Sequence, residues 1–161
     1  MAVYKIGDLA TFTYNGKRVN DRFPKVLILH DQWEGFVHGM NFNYLTDAEI
    51  NYLRMVLNPE FADKEYPAFQ RQSPLLAREF DKLDHVYNTL NISSPHDFYI
   101  RFIKSFIRPR GWDPYRKYNP AFIASPRVLK KRTFFTGEGK KGIFSRYIEN
   151  VEHKRGRTIV G

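Results

Sequence analysis

The chain has 161 residues, the size of one ordinary domain, with 42% hydrophobic, 16% aromatic and 27% charged residues. It contains no Cys, which excludes disulfide scaffolds, thiolate metal sites and Cys nucleophiles and fits a reducing compartment. No apolar run approaches the ~20 residues of a membrane span, and Met1-Ala2-Val3-Tyr4-Lys5 lacks the charged-then-apolar order of a secretory signal.

The net charge of +9 is unevenly placed. Residues 1–100 hold 10 Lys and Arg against 13 Asp and Glu, whereas residues 101–161 hold 16 against 4. A near-neutral body followed by a basic region is the expected organisation, and such a region attracts polyanions or acidic protein surfaces.

Leu9-Ala10-Thr11-Phe12-Thr13-Tyr14 reads as a strand, and Asn15-Gly16 behind it as a hairpin turn. Lys25-Val26-Leu27-Ile28-Leu29-His30 reads as a buried strand entered through Pro24, with a turn over Asp31–Gly35. Phe36-Val37-His38-Gly39-Met40-Asn41-Phe42 reads as the next strand, where Gly39 marks a bulge or a close backbone approach. Short strands with tight turns predict a small curled antiparallel sheet, of which an SH3-like barrel is one closed form.

Thr46-Asp47-Ala48-Glu49 is a capping box, and Ile50, Leu53 and Leu57 then repeat at helical spacing until Asn58-Pro59. Residues 59–72 read as a loop. Ser73-Pro74 starts a second helix with an apolar stripe through Leu76, Phe80, Leu83, Tyr87 and Leu90. Ser94-Pro95 starts a third, whose Phe98, Ile100, Phe102, Ile103, Phe106 and Ile107 cover more than one face. Pro109, Pro114, Pro120 and Pro126 then leave no room for a normal helix. The expectation there is extended chain, with a short strand at Val128-Leu129, a flexible Gly turn over 137–142, a short helix over Ile143–Val151 and a tail from His153.

The predicted fold is therefore α+β. A folded body spans 1–107, with a sheet over 4–45 and helices over 47–57, 74–90 and 95–107. An extended basic arm, partly packed on the body, spans 108–161.

The usual catalytic patterns are weak or missing. Gly137-Glu138-Gly139-Lys140-Lys141-Gly142 has neither the spacing nor the following Ser or Thr of a phosphate loop. His30, His38, His85, His96 and His153 lack zinc-protease spacing, and His30 and His38 read as polar strand-end residues. Glu152 and Lys154 match only the end of a nuclease pattern, whose partner carboxylate has no strand to sit on. There is no Gly-x-Ser-x-Gly elbow. The expectation is a protein that is not an enzyme, with no catalytic residue, no cofactor and no metal.

The basic set differs in kind. Arg108, Arg110, Arg116, Lys117, Arg127, Lys130, Lys131, Arg132, Lys140 and Lys141 interleave with Trp112 and Tyr115, and are the candidate partner- or phosphate-binding residues. Arg binds phosphate bidentately and aromatic faces stack on bases or guanidinium groups. The same residue types dominate protein interfaces. On a solvated surface they would do neither.

Asp21-Arg22-Phe23-Pro24-Lys25-Val26-Leu27-Ile28-Leu29, with Gly35-Phe36-Val37-His38-Gly39-Met40-Asn41-Phe42-Asn43-Tyr44-Leu45, resembles a pattern in small virion-associated structural proteins of large contractile-tailed bacteriophages. Trp112-Asp113-Pro114-Tyr115-Arg116-Lys117-Tyr118 resembles a second, looser element of them. The resemblance covers about a quarter of the chain and carries no catalytic motif. It implies a virion component at the neck, tail or baseplate, or one at the packaged DNA end. It gives Gly39, Asn41, Tyr44 and Leu45 a structural role at a tight strand end.

The leading expectation is a virion structural or assembly protein, put together in the host cytoplasm within a multi-subunit assembly. Its C-terminal region would grip neighbouring virion proteins, with DNA as a further partner and no membrane. The alternative is a nucleic-acid-binding protein such as a DNA-end binder. A third reading is a small barrel ribonuclease toxin, because such toxins also carry Gly-Asp (here Gly7-Asp8) before a strand.

Overall fold

The computed structural model describes residues 4–16, 21–86, 92–105, 107, 111–131 and 143–160. The chain divides into a sheet unit, Met1–Thr46 with Pro109–Phe134, and a helical unit, Asp47–Arg108 with Phe135–Gly161. Among the described residues the fold is mixed α and β, with an open five-stranded antiparallel sheet and five helices.

The strands are β1 (Leu9–Tyr14), β2 (Lys25–Trp33), β3 (Phe36–Asn41), β4 (Tyr115–Tyr118) and β5 (Ile123–Lys130), in the spatial order β4-β3-β2-β1-β5. The first three follow from local pattern. β2 is buried at every position from Val26 to His30, as its unbroken apolar run requires. β2 and β3 are joined at Glu34-Gly35, whose φ values of 53° and 83° make the primed turn that matches strand twist. The turn is therefore shorter than expected, and Asp31 to Trp33 belong to β2.

Asn15-Gly16 does not form a tight hairpin. Thr11 pairs with Lys25, so the chain between them is too long for a two-residue turn. The Asn15 N–H instead donates to the Phe122 carbonyl at 2.9 Å.

The region expected to be an extended arm supplies both edges of the sheet. β4 pairs with β3 and β5 pairs with β1, all antiparallel. The prolines that exclude helix there are compatible with edge strands. Pro114 precedes β4, Pro120 opens a 3-10 turn, and Pro126 lies in a bulge where Ser125 and Pro126 together oppose Phe12.

The sheet is strongly rolled. Phe12 and Tyr14 of β1 lie 5.1 and 5.0 Å, ring centroid to centroid, from Tyr118 of β4. Three strand spacings of a flat sheet would put them ~14 Å apart. The roll encloses Tyr4, Ala10, Phe12, Val26, Ile28, Val37 and Tyr118. The sheet nevertheless stays open, because the described residues of β4 and β5 do not pair with each other. It is thus not the closed barrel named above as one form.

In the helical unit, α1 is Asp47–Leu57, α2 is Pro59–Gln72 and α3 is Pro74–Val86. The loop expected over 59–72 is helix. Asn58 caps it, its Oδ1 accepting from the N–H groups of Glu60 and Phe61 at 3.1 and 3.4 Å, and Pro59 takes the first helical position. Asn-Pro thus starts one helix as well as ending another. Tyr52 packs near Phe69, and the Tyr66 hydroxyl donates to Asp81 at 2.7 Å, so α2 is held to α1 and α3.

α4 (Pro95–Phe98) starts as its sequence predicts, with Ser94 Oγ accepting from the Asp97 N–H at 3.0 Å. It widens into a π turn over Tyr99–Ile103. The extra residue per turn lets Phe98, Tyr99 and Ile103 all be buried, which explains an apolar pattern too broad for one α-helical face.

α5 runs over Ile143–Val160, well past the short helix expected, and takes in most of the predicted tail. Ile143, Phe144, Tyr147, Ile148 and Val151 are buried, and Tyr147 stacks on Phe98 at 5.0 Å. This part of the basic region is therefore core of the helical unit. No described helix is long and apolar enough to cross a membrane.

Candidate contact surface

The sequence pattern around Asp21 and Asn41 closes into one hydrogen-bonded clasp. Asp21 Oδ2 accepts from the side-chain amides of Asn41 and Asn43 at 3.0 and 2.6 Å, and Oδ1 accepts from the Phe23 N–H at 3.0 Å. Asn41 Oδ1 accepts from the Asn43 N–H at 3.0 Å, which turns the chain sharply out of β3 into a 3-10 turn over Phe42–Tyr44. The Asn41 N–H donates to the Pro114 carbonyl at 2.7 Å and ties in the approach to β4. Burial pushes the Asp21 carboxyl up, but the bonds from Asn43, Asn41 and Phe23 outweigh it and hold it below the usual carboxylate range.

Gly39 lies at the closest approach of β2 and β3. A Cβ there would overlap the Val26 side chain and sit 2.6 Å from the Leu27 carbonyl oxygen. Tyr44 is half-buried near the charges of Asp21 and Arg116, with its hydroxyl pKa raised first by burial and then by Asp21. Leu45 closes the 3-10 turn, its N–H donating to the Phe42 carbonyl at 3.1 Å.

Three large rings beyond the clasp are exposed. Phe23 is 69% exposed and Trp112, two residues before Pro114, is 55% exposed. Phe122, whose carbonyl binds Asn15, is 41% exposed and packs edge-on against Tyr14 at 6.2 Å. All three lie where β1 and β3 end and β2, β4 and β5 begin, so antiparallel topology gathers them at one end of the sheet.

The predicted basic set is not brought together. Arg108, Arg110, Arg132, Lys140 and Lys141 lie outside the described residues. Tyr115, Arg116 and Lys117 are on β4, whereas Arg127, Lys130 and Lys131 are on or just beyond β5 at the opposite edge. Lys117, Arg127, Lys130 and Lys131 are exposed and Arg116 is half-buried. Arg22, Phe23, Lys25 and Phe122 belong to the surface although their sequence context did not single them out as contacts. Lys25 and Arg127 flank Thr11 on adjacent strands and share a face with it.

The fold redistributes the charge. The sheet unit holds twelve Lys and Arg against five Asp and Glu, and the helical unit fourteen against twelve. Three of the five acids bind backbone N–H groups: Asp8 that of Lys5, Asp21 that of Phe23 and Asp113 that of Tyr115. Asp31 and Glu34 lie on the β2–β3 hairpin, at the other end of the sheet.

His30 and His38 are register partners across β2 and β3, and both are buried. His38 Nε2 is 3.0 Å from the Trp33 carbonyl, which can only accept, so this nitrogen carries the proton. Nδ1 then accepts from the Tyr115 hydroxyl at 2.6 Å. The ring pins β4 to the β2–β3 hairpin, and burial first, with Glu34 and Asp113 adding, pushes the Tyr115 hydroxyl up to about 12. Among the described residues no group of three or more His, Asp and Glu is placed to hold a metal ion. Glu152 is exposed on α5, and the Gly-rich turn over 137–142 lies outside the described residues.

No family model, curated protein or solved structure matches this chain.

Proposed function

We propose that this chain is a non-enzymatic structural or assembly protein of a contractile-tailed phage virion, at the neck, tail or baseplate, whose C-terminal region holds neighbouring subunits. One observation supports this most: residues 115–131 hold both outer strands of the sheet and carry exposed Lys117, Arg127, Lys130 and Lys131. An edge strand is where a neighbour is met first. β5 is blunted against strand addition by the Ser125-Pro126 bulge, with Ser125 at φ 52°, so contact there runs through side-chain charge. In this reading the rolled sheet is an opened SH3-like barrel that serves as a rigid mount, and the partners are other virion proteins assembled in the host cytoplasm.

The test is mass spectrometry of particles purified from infected cells. The wild-type chain is expected in the particles. A Lys130→Glu, Lys131→Glu double variant that keeps its circular dichroism is expected to be depleted from them. Absence of the wild-type chain from purified particles would sink the proposal.

A further inference from the structure

Among the described residues, three of the four large exposed apolar side chains of the sheet unit, Phe23, Trp112 and Phe122, lie at one end of it, and only Phe36 (39% exposed) lies elsewhere. They come from three separate connections: the one before β2, the one before β4 and the one before β5. None can retreat into the core easily. Phe23 is fixed by the Asp21 carboxylate on its N–H and by the Asn43 amide on its carbonyl at 3.2 Å. The Trp112 segment is fixed through Pro114, and Phe122 through Asn15.

Cationic residues lie at the same end of the sheet. Arg22 and Lys25 are exposed beside Phe23, and Arg116 is half-buried on β4 near Tyr44. The two acids at this end, Asp21 and Asp113, are turned onto backbone N–H groups. This end of the sheet therefore offers exposed rings together with cationic side chains, on a unit with seven more basic than acidic residues. An apolar protein surface would cover the rings and leave the charge unmet, and an acidic one would meet the charge. A duplex would satisfy it while keeping its bases stacked and out of reach. A single strand uses both, because each base has a face to stack and each phosphate a charge to neutralise.

We propose that this end of the sheet binds single-stranded nucleic acid, with bases stacking on Phe23, Trp112 and Phe122 and phosphates meeting Arg22, Lys25 and Arg116. The inference does not depend on the virion assignment, since its test reads oligonucleotide binding and not incorporation into particles.

Fluorescence anisotropy of a labelled oligothymidylate of about 16 nucleotides, titrated at several salt concentrations, tests it. Affinity is expected to fall steeply with salt. Phe23→Ala and Trp112→Ala should each weaken binding about tenfold at fixed salt with unchanged salt dependence. Arg22→Ala should flatten the salt dependence by about one phosphate contact. These side chains are exposed, so the fold should survive, which circular dichroism checks. No binding at low salt, or wild-type affinity in both ring variants, would overturn the proposal. So would an equal loss of affinity for heparin, which has charge but no bases. Ring-dependent self-association in sedimentation, without oligonucleotide binding, would overturn it in favour of a second copy of the chain.

Discussion

The Tyr115 hydroxyl lies 2.6 Å from Nδ1 of His38, across the boundary between the β2–β3 hairpin and the strand that returns to it much later in the chain. This contact and the β4–β3 ladder place β4 on the sheet. Tyr115→Phe keeps the ring and deletes the donor to a fully buried imidazole. The expected loss is about 1–3 kcal/mol of unfolding free energy, measured by urea denaturation. An unchanged midpoint would show that the bond contributes nothing to holding β4.

Gly39 tolerates no side chain. Its added Cβ would meet the Val26 side chain and the Leu27 carbonyl, which is backbone and cannot move aside cheaply. Gly39→Ala is expected to cost about 3 kcal/mol, with strands forced apart at the β2–β3 ladder. Gly35→Ala is a useful contrast, because nothing lies within 4 Å of its added Cβ and only the positive φ of 83° opposes it. Thermal unfolding of the two variants should rank Gly39→Ala well below Gly35→Ala.

The Asp21 clasp should loosen in acid. Its folded carboxyl titrates below the ordinary value of 3.8, so the unfolded chain binds the proton first. The stabilisation is present above the unfolded value and is lost as pH falls through the folded one. The wild-type melting temperature should therefore fall more steeply below about pH 4 than that of Asp21→Asn, which has no such proton to bind. Parallel curves for the two proteins would show the clasp to be energetically silent.

Asn58 is the hinge between a helix that ends and one that begins. Asn58→Ala removes the acceptor for two N–H groups at the start of α2 and is expected to cost about 1 kcal/mol. Asn58→Asp, which keeps an acceptor and adds negative charge at a helix N-terminus, should retain most of that stability. Equal losses in both variants, by chemical denaturation, would assign the effect to something other than the cap.

The elements legible in the sequence were those written into local pattern. β2 and β3 showed as apolar runs, α3 as a stripe with Ser73-Pro74 before it, and α4 as Ser94-Pro95 with Asp97. The same reading missed α2, because Asn58-Pro59 serves both as a stop and as a start. It also left β4 and most of β5 as extended chain, since four residues of Tyr-Arg-Lys-Tyr and a Pro-interrupted segment show no alternation that marks a strand. The candidate residues were found by type and not by place. Trp112 and Arg116 were singled out, whereas Phe23 was noticed only as part of a resemblance and Lys25 only there and as the start of a strand.

By itself the sequence determined where β1 to β3, α1, α3 and α4 begin, the absence of thiol chemistry and the concentration of positive charge toward the C-terminal end. Each of these depends on a residue and its near neighbours. The tertiary structure decided where that charge goes. It sent 115–130 to the two edges of the sheet and most of the tail into a helix with a buried face. It also gathered Phe23, Trp112 and Phe122 at one end. The reason is that strand pairing joins residues about a hundred positions apart, as when Tyr14 of β1 pairs with Ile123 of β5. No local rule of charge or periodicity contains such a pairing.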